Sequence, residues 1–577
     1  MRPVDAAFEA ALRRAVRVTT ADEAAARDAD AIASGTASFT LMCAAGTVAT
    51  AEIVRVASDR LAHGVTVWCG AGNNGGDGYV VAAQLARLGV RVHVIATSPP
   101  RTPDAQRAAS LAAQLGVPLH AMSHEAPAVS ADGVIIDALL GTGARGALRE
   151  DVARAAAHIA DARARGACIV SLDTPTGVDA TTGAPAECAV HAHVTITFGT
   201  LKHGLLSARG RCGRVVVADI GLGAHAARDD DAALLADASI VQHVVPPVAW
   251  NAHKGSRGRV CIVGGTAGMA GAVQLAARGA LASGAGLVRA LVHPLSAAAM
   301  QSSVPAVVCV PATTPTSLAD TLAWAHAVLI GPGLGRDADA RTQLRAVLDA
   351  VLDMSTLRPT HDVHDGASHA VGFLAFTPPV LVLDADALVI ASDADVLPLV
   401  LKCAARTPVV LTPHAGEFAR LALACGTALD ERTTDPTRRL AAARHVAAAS
   451  GACVVLKGTP TCCVAPDGTA WCVPRGTAAL ATGGTGDMLA GVIGALLAHA
   501  RARGDVRATR VASLAAAAAY VHGTAAEGTA DTSPVVVRGH TVETLLARLP
   551  DAWAAAATSA RRAPGVLASL PDVRPMG

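Results

Sequence analysis

The sequence predicts an α/β protein of two successive domains, each built on a mostly parallel sheet. Three observations carry that prediction. Short β-type runs alternate with helical apolar spacing, the pattern of a parallel sheet covered by helices. Glycine-rich turns follow those runs at the places where such sheets bind ligands, outside the carboxyl ends of the strands. And 577 residues are too many for one ordinary domain.

Composition narrows the class. The chain is 52% hydrophobic but only 2% aromatic, so its core must be made of alanine, valine, leucine and isoleucine. A formal net charge of +1, with no basic run interleaved with aromatics, argues against nucleic acid as a partner. The longest apolar stretches, around Met269–Val292 and Val511–Val521, are alanine-rich, and the first carries Arg278 and Arg289, so no membrane span is expected. The start, Met1-Arg-Pro-Val-Asp, lacks the pattern of a signal peptide. The 13 cysteines are odd in number and form no C-x-x-C pair, which disfavours zinc and a disulfide framework and fits a reducing cytoplasm.

Residues 5–63 read as two or three helices. The run Val65–Cys69 is a strand, followed by Gly70-Ala-Gly-Asn73-Asn74-Gly75-Gly76-Asp77-Gly78 and a helix from Tyr79. Further strands end in Asp137-Ala-Leu-Leu-Gly141-Thr142-Gly143 and in Asp173-Thr-Pro-Thr176-Gly177, and runs at His193–Phe198 and Gly213–Ala218 complete the set. The spacing Gly70-x-Gly72-x-x-Gly75 matches a dinucleotide fingerprint, which expects an acid roughly 20 positions on for the ribose hydroxyls. That place reads Ile95-Ala-Thr-Ser98, and no acid follows before Asp104. The turn instead offers amide and carboxylate oxygens. Oxygen donors from three strand ends suit a hard cation or a polar substrate.

In the second half, Arg259–Val263 leads into Gly264-Gly-Thr-Ala-Gly-Met-Ala-Gly271-Ala272. Later strands end in Gly331-Pro-Gly333-Leu-Gly335, Asp384-Ala-Asp386, Thr412-Pro-His414-Ala-Gly-Glu417 and Lys457-Gly458-Thr459-Pro460-Thr461. The stretch Thr482-Gly-Gly-Thr-Gly486-Asp487 then turns into an apolar helix. Free N–H groups at a helix start favour anions. A carboxylate beside them can take a proton from a hydroxyl while the pocket holds phosphate, so Asp487 is a candidate general base. The Asp384 and Asp386 pair reads as a strand-end structure, with magnesium binding as the alternative. His361-Asp-Val-His-Asp365 with His369 reads as a solvated loop.

The first half resembles the NAD(P)H-hydrate epimerase family through its Gly70–Gly78, Asp137–Gly143 and Asp173–Gly177 motifs and Thr197-Phe-Gly-Thr-Leu-Lys-His-Gly204, over about residues 5–225. The resemblance implies that Asn73, Asn74, Gly75, Gly76, Asp77, Gly141, Thr142, Gly143, Ala144, Arg145, Gly146 and Ala147 contact a hydrated nicotinamide dinucleotide. It makes Asp173 the carboxylate at the reacting centre. It also implies a potassium ion (K+) near Asn74, Asp137 and Thr176, where the family usually has serine at the last position. The second half resembles the ribokinase-like superfamily, most closely its NAD(P)H-hydrate dehydratases, over about residues 245–550. That resemblance implies hydrate contacts from Ala272, Gly333, His414 and Asp487. It implies adenine-nucleotide contacts, for ADP or ATP with Mg2+, from Lys457, Gly458, Thr459, Pro460, Thr461 and Gly486.

The expectation is therefore a Rossmann-like three-layer α/β/α domain over residues 1–228, a linker over 229–244, a ribokinase-like domain over 245–550, and a frayed tail over 551–577. Together the halves resemble fused enzymes that repair hydrated NADH and NADPH: the first half interconverts the R and S hydrates, and the second dehydrates the S form at the expense of a nucleotide, with ADP favoured. The expected state is a homo-oligomer in the cytoplasm. Two other readings compete. One is a small-molecule kinase fused to a binding domain, whose product would stay phosphorylated. The other is a dimerisation scaffold, against which the intact Asn74, Asp137 and Asp173 argue.

Overall fold

The structure is a computed structural model, and it describes residues 3–123, 132–228, 231–312, 315–354, 378–528, 538–558 and 563–574. The histidine-rich 361–369 motif lies outside these residues.

The first sheet has eight strands in the order Val566–Leu570, Arg214–Ala218, Val194–Phe198, Cys168–Leu172, Val134–Ala138, Val65–Cys69, Val92–Ala96, Leu119–Ala121. All its pairs are parallel except the first. Strands such as Val65–Cys69 and Val134–Ala138 are buried along their whole length, as β-branched runs covered on both faces must be. Helix Ser38–Ala57 is long and apolar enough to cross a membrane by length and composition. Here Ala45, Ala49 and Ile53 are buried, and the helix packs against helix Asn73–Arg87, which carries the first glycine turn.

The second sheet has twelve strands. Its parallel core runs Val307–Pro311, Leu287–Val292, Arg259–Gly264, Ala327–Ile330, Val380–Leu383, Val409–Leu411, Cys453–Leu456 and continues into the antiparallel Thr461–Val464 and Ala470–Val473. Two helices against this sheet meet through glycine. A Cβ on Gly491 would stand 1.9 Å from the Ala276 carbonyl oxygen, and one on Gly279 2.5 Å from that of Met488. These absent side chains let helix Ala270–Ala282 lie directly on helix Thr485–Ala502, which sets Ala272 and Asp487 at neighbouring helix starts.

Three departures from the sequence expectation concern the joint between the halves. The stretch expected as a linker contains the strand Ala233–Leu235 and the helix Ala238–Val244. That strand pairs with Ala470–Val473 on one side and with Arg17–Thr19 on the other, and Arg17–Thr19 pairs in turn with Leu201–Lys202. The second sheet thus ends on two strands drawn from the first half. The tail expected to fray instead supplies Val566–Leu570, antiparallel to Arg214–Ala218, with Ala568 and Leu570 buried. Apolar alternation in five residues suffices there, because a partner edge was waiting for it.

Candidate functional site

The first site is a cavity of about 510 Å³ at the carboxyl ends of the first sheet, lined among others by Asn73, Asn74, Asp77, Gly141, Thr142, Asp173 and Lys202. Asp173 sits at φ 64, in the left-handed region that costs a non-glycine residue strain. Its carboxylate is caged. Oδ1 accepts from Lys202 Nζ at 2.8 Å and Thr197 Oγ1 at 3.4 Å, and Oδ2 accepts from the Thr142 amide at 2.7 Å and its hydroxyl at 2.6 Å. Burial alone would raise this carboxyl. The Lys202 ammonium and the Thr142 donors outweigh it and hold the group below the ordinary carboxylate range. Lys202 is itself 2% exposed and also donates to Thr197 Oγ1 at 3.0 Å and the Phe198 carbonyl at 2.9 Å. Asp77 behaves oppositely. Burial, then the nearby charges of Asp173 and Asp28, push its carboxyl well up against the weaker pull of Lys202.

Gly141 makes the close approach possible, since a Cβ there would lie 2.8 Å from Asp173 Oδ2 and 3.3 Å from Asn74 Cβ. Gly75 and Gly76 serve packing instead: a Cβ on Gly75 would overlap the Gly70 carbonyl, and one on Gly76 the Met42 side chain. Gly143 and Ala144 line the cavity, whereas Arg145, Gly146 and Ala147 line a neighbouring one of about 600 Å³. Arg145 is exposed there and pairs with Asp22 at 2.5 Å.

Asn74, Asp137 and Thr176 can be tested as a cation site. Asp137 is fully buried and accepts from Ser171 Oγ at 2.8 Å, the Thr176 amide at 2.9 Å, the Thr176 hydroxyl at 2.6 Å and the Leu139 amide at 3.3 Å. Burial raises its carboxyl, opposed by these hydrogen bonds and by no cationic side chain among the described residues. Both polar atoms of the Asn74 amide are buried without a protein partner among the described residues. A buried anion short of a counter-charge, with a spare amide oxygen near it in the fold, is a donor set that fits a hard monovalent cation.

The second site forms where helix Thr485–Ala502 begins. Gly484 caps that helix at φ 92, a conformation glycine adopts freely. Lys457 lies beside it, with Nζ 3.4 Å from where a Gly486 Cβ would stand. The Lys457 ammonium also pairs with Asp384 Oδ1 at 2.9 Å, and the same oxygen accepts from Thr412 Oγ1 at 2.6 Å. Burial would lower the Lys457 ammonium, but Asp384 and Glu417 hold it above its ordinary range. Asp487 stands in the first turn, and burial, reinforced by the charge of Asp384 and opposed by Lys457, pushes its carboxyl up to about 7.

The neighbouring residues sort clearly. Gly333, at φ 58, faces Ala272: its Cβ would stand 3.3 Å from the Ala272 Cβ and 2.6 Å from the Met269 carbonyl oxygen. Gly458 and Thr461 close their turn on each other, the Thr461 hydroxyl donating to the Gly458 carbonyl at 3.1 Å. Thr459 and Pro460 span that turn. His414 is the N-cap of helix Ala415–Ala424, its Nδ1 accepting from the Gly416 amide at 3.1 Å while Glu417 closes the capping box. Among the described residues no three acidic, histidine or cysteine side chains form a metal cage.

Two residues at these sites were not singled out from the sequence. Lys202 stands there only inside the Thr197–Gly204 motif, and in the structure it is the buried partner of Asp173. Asp384 was read as structural, and it anchors Lys457. The only sequence signal for either is its place at a strand end beside a glycine turn.

Fold and sites define a two-site α/β enzyme: a caged carboxylate in one unit, a lysine–carboxylate anion site in the next, and a sheet shared between them. Residues 260–548 match the family model described as NAD(P)H-hydrate dehydratase, and residues 38–204 match that described as YjeF-related protein N-terminus. The bifunctional NAD(P)H-hydrate repair enzyme of Escherichia coli (strain K12) is 35% identical over 435 residues, covering 74% of this chain and 75% of that protein. That of Salinibacter ruber is 35% identical over 467 residues, covering 75% and 79%. An ADP/ATP-dependent NAD(P)H-hydrate dehydratase from Bacillus subtilis, co-crystallised with ATP and Mg2+, aligns at TM-score 0.41 and 26% identity over 56% of this chain and 98% of its own. The chain belongs to the family of bifunctional NAD(P)H-hydrate repair enzymes.

Proposed function

We propose that this protein returns hydrated NADH and NADPH to their reduced forms, its first site interconverting the R and S hydrates and its second dehydrating the S form with ADP or ATP. The observation that carries the second step is Asp487: a carboxyl titrating near neutrality, in a helix first turn, beside the Lys457 ammonium. The hydrate bears a hydroxyl on ring carbon 6, and hydroxide is a poor leaving group. Asp487 accepts the hydroxyl proton as the oxygen takes the terminal phosphoryl group. Lys457 and the first-turn amides hold the phosphates and balance their charge. The ring-nitrogen lone pair then expels phosphate, and loss of a proton from carbon 5 restores the double bond. Mg2+ bound with the nucleotide supplies charge neutralisation there.

At the first site the cage makes Asp173 a fixed charge rather than a proton shuttle. A carboxylate held below its ordinary range is a poor base but a permanent anion. It suits stabilising the cation left on the ring when the carbon–oxygen bond breaks, while the raised Asp77 carboxyl, on the same cavity, suits giving a proton to the departing oxygen. Asn74, Asp137 and Thr176 would hold K+, whose charge would offset the buried Asp137 anion. Homo-oligomerisation and a reducing cytoplasm, which suits thirteen free thiols, belong to the same reading.

The test mixes purified protein with separated R and S hydrates and ADP or ATP, following reduced-nicotinamide absorbance and phosphate release. S hydrate regains absorbance with nucleotide alone, and R hydrate is converted to S without it. A phosphorylated hydrate that accumulates with no absorbance regained makes the protein a kinase and ends the repair reading.

A further inference from the structure

A short stretch of the first half, residues 201–209, reaches from one site to the other. Lys202 closes on Asp173. The helix His203–Ser207 packs against helix Pro436–Ser450, whose Arg439 donates to the Lys457 carbonyl at 3.0 Å. Arg209, 4% exposed, donates from Nη1 to the Pro474 carbonyl at 3.0 Å and from Nη2 to the Pro571 carbonyl.

Pro474 roots the loop that becomes the second site. Arg475, next in the chain, is gripped by Glu527 at 2.5 Å and by the Tyr520 hydroxyl at 3.0 Å, and the Gly476 amide donates to Glu527 at 2.7 Å. Gly523 lets helix Ala508–Glu527 come that close, since a Cβ there would stand 2.6 Å from the Arg475 carbonyl carbon. From this root the chain runs through Ala478–Leu480 into Gly484 and the first turn with Asp487. The loop is therefore held from beneath by its own domain and from the side by an arginine of the other. Burying a guanidinium is costly unless its donors find acceptors, so a purely adhesive contact would be better made by apolar side chains.

We infer that Arg209 is a positioning residue of the second site, supplied by the first half of the chain: by fixing Pro474 it sets where the Gly484–Asp487 turn meets the nucleotide phosphates. The inference rests on the functional reading above. It is tested in the full-length protein with Arg209→Ala and Arg209→Lys, measuring dehydration at varied nucleotide, nucleotide affinity by calorimetry, and epimerisation. Arg209→Ala raises nucleotide KM and Kd about tenfold, the size expected for one lost charge-assisted hydrogen bond. Epimerisation stays within about twofold of wild type, inside the usual scatter for a site remote from the change, and reports intact folding. Arg209→Lys, which keeps a long cationic donor at this position, recovers most of the affinity. Unchanged nucleotide KM in Arg209→Ala overturns the inference, as does a parallel loss of both activities that lysine does not rescue. Wild-type protein without nucleotide-dependent dehydration overturns the functional reading itself, whereas an active wild type with an unmoved variant overturns this inference alone.

Discussion

The two halves of the molecule treat one residue type in opposite ways. Asp173 is surrounded by a lysine and three other donor groups and kept ionised. Asp487 is half-buried near the charges of Asp384, Asp386 and Glu417, with Lys457 already committed to Asp384, and its carboxyl rises to about 7. Both stand at the mouth of a parallel sheet, so position alone does not distinguish them. What distinguishes them is where the nearest ammonium is spent. A lysine bound to the carboxylate itself makes a fixed charge; a lysine bound to its neighbour leaves a group that can take and release a proton near neutral pH.

The largest expected effect breaks the second member of the pair. Asp487→Asn keeps shape and removes the base, and a positioned general base contributes about 10²–10⁴-fold. Dehydration measured with S hydrate and saturating nucleotide falls by that order, with epimerisation of R hydrate intact. An Asp487→Asn protein that dehydrates at the wild-type rate removes Asp487 from the chemistry.

Breaking the first member acts on stability as well. Lys202→Met leaves Asp173 buried without its cation, and breaking a buried pair from one side costs about 3–5 kcal/mol. Urea unfolding of the described pair reads that loss. Asp173→Asn in the same background recovers part of it, because the uncompensated charge is gone. A Lys202→Met protein as stable as wild type shows that the ammonium was not needed to hold the anion.

The lysine of this pair illustrates what the sequence could and could not tell. Glycine turns at strand ends were legible because they are local, and they located Asp173, Asp487 and Lys457 correctly at the mouths of the sheets. The bond from Lys202 to Asp173 spans 29 residues and that from Lys457 to Asp384 spans 73, and no local pattern encodes which strand end faces which. The strands Arg17–Thr19 and Leu201–Lys202 are too short for an alternation to register, so the shared sheet could not be read either. Val566–Leu570 was hidden for another reason: its proline-rich surroundings read as loose, and its partner lies in the other half of the chain.

A smaller effect follows from pH and sharpens the same contrast. Dehydration needs Asp487 ionised, and a carboxyl at about 7 is ionised above that pH, so kcat rises as pH increases through about 7. Lys457→Met removes the cation that opposes the rise, and the limb moves to higher pH. Epimerisation depends on Asp173, already ionised below the usual carboxylate range, and on a protonated Asp77, so it shows no rising limb across neutrality and falls only as the raised Asp77 carboxyl ionises. Identical pH profiles for the two reactions would mean that the two carboxylates are not differently poised.

The smallest expected effect concerns Thr176, whose hydroxyl donates to Asp137 and accepts from the Leu140 amide at 3.1 Å. Thr176→Ser keeps both bonds and loses only a buried methyl, so about 1 kcal/mol or less is lost. Thr176→Val keeps the shape and removes the hydroxyl, leaving Asp137 one donor short and the Leu140 amide without its acceptor, for about 1–3 kcal/mol. If these groups hold K+, exchanging potassium for a bulky organic cation lowers epimerisation in wild type and Thr176→Ser alike, and has less left to remove in Thr176→Val. Dehydration is indifferent to the exchange, because Asn74, Asp137 and Thr176 all lie in the first half of the chain. A wild-type epimerase equally active in either salt takes the ion out of the site and leaves the Asp137 hydrogen bonds as a purely structural knot.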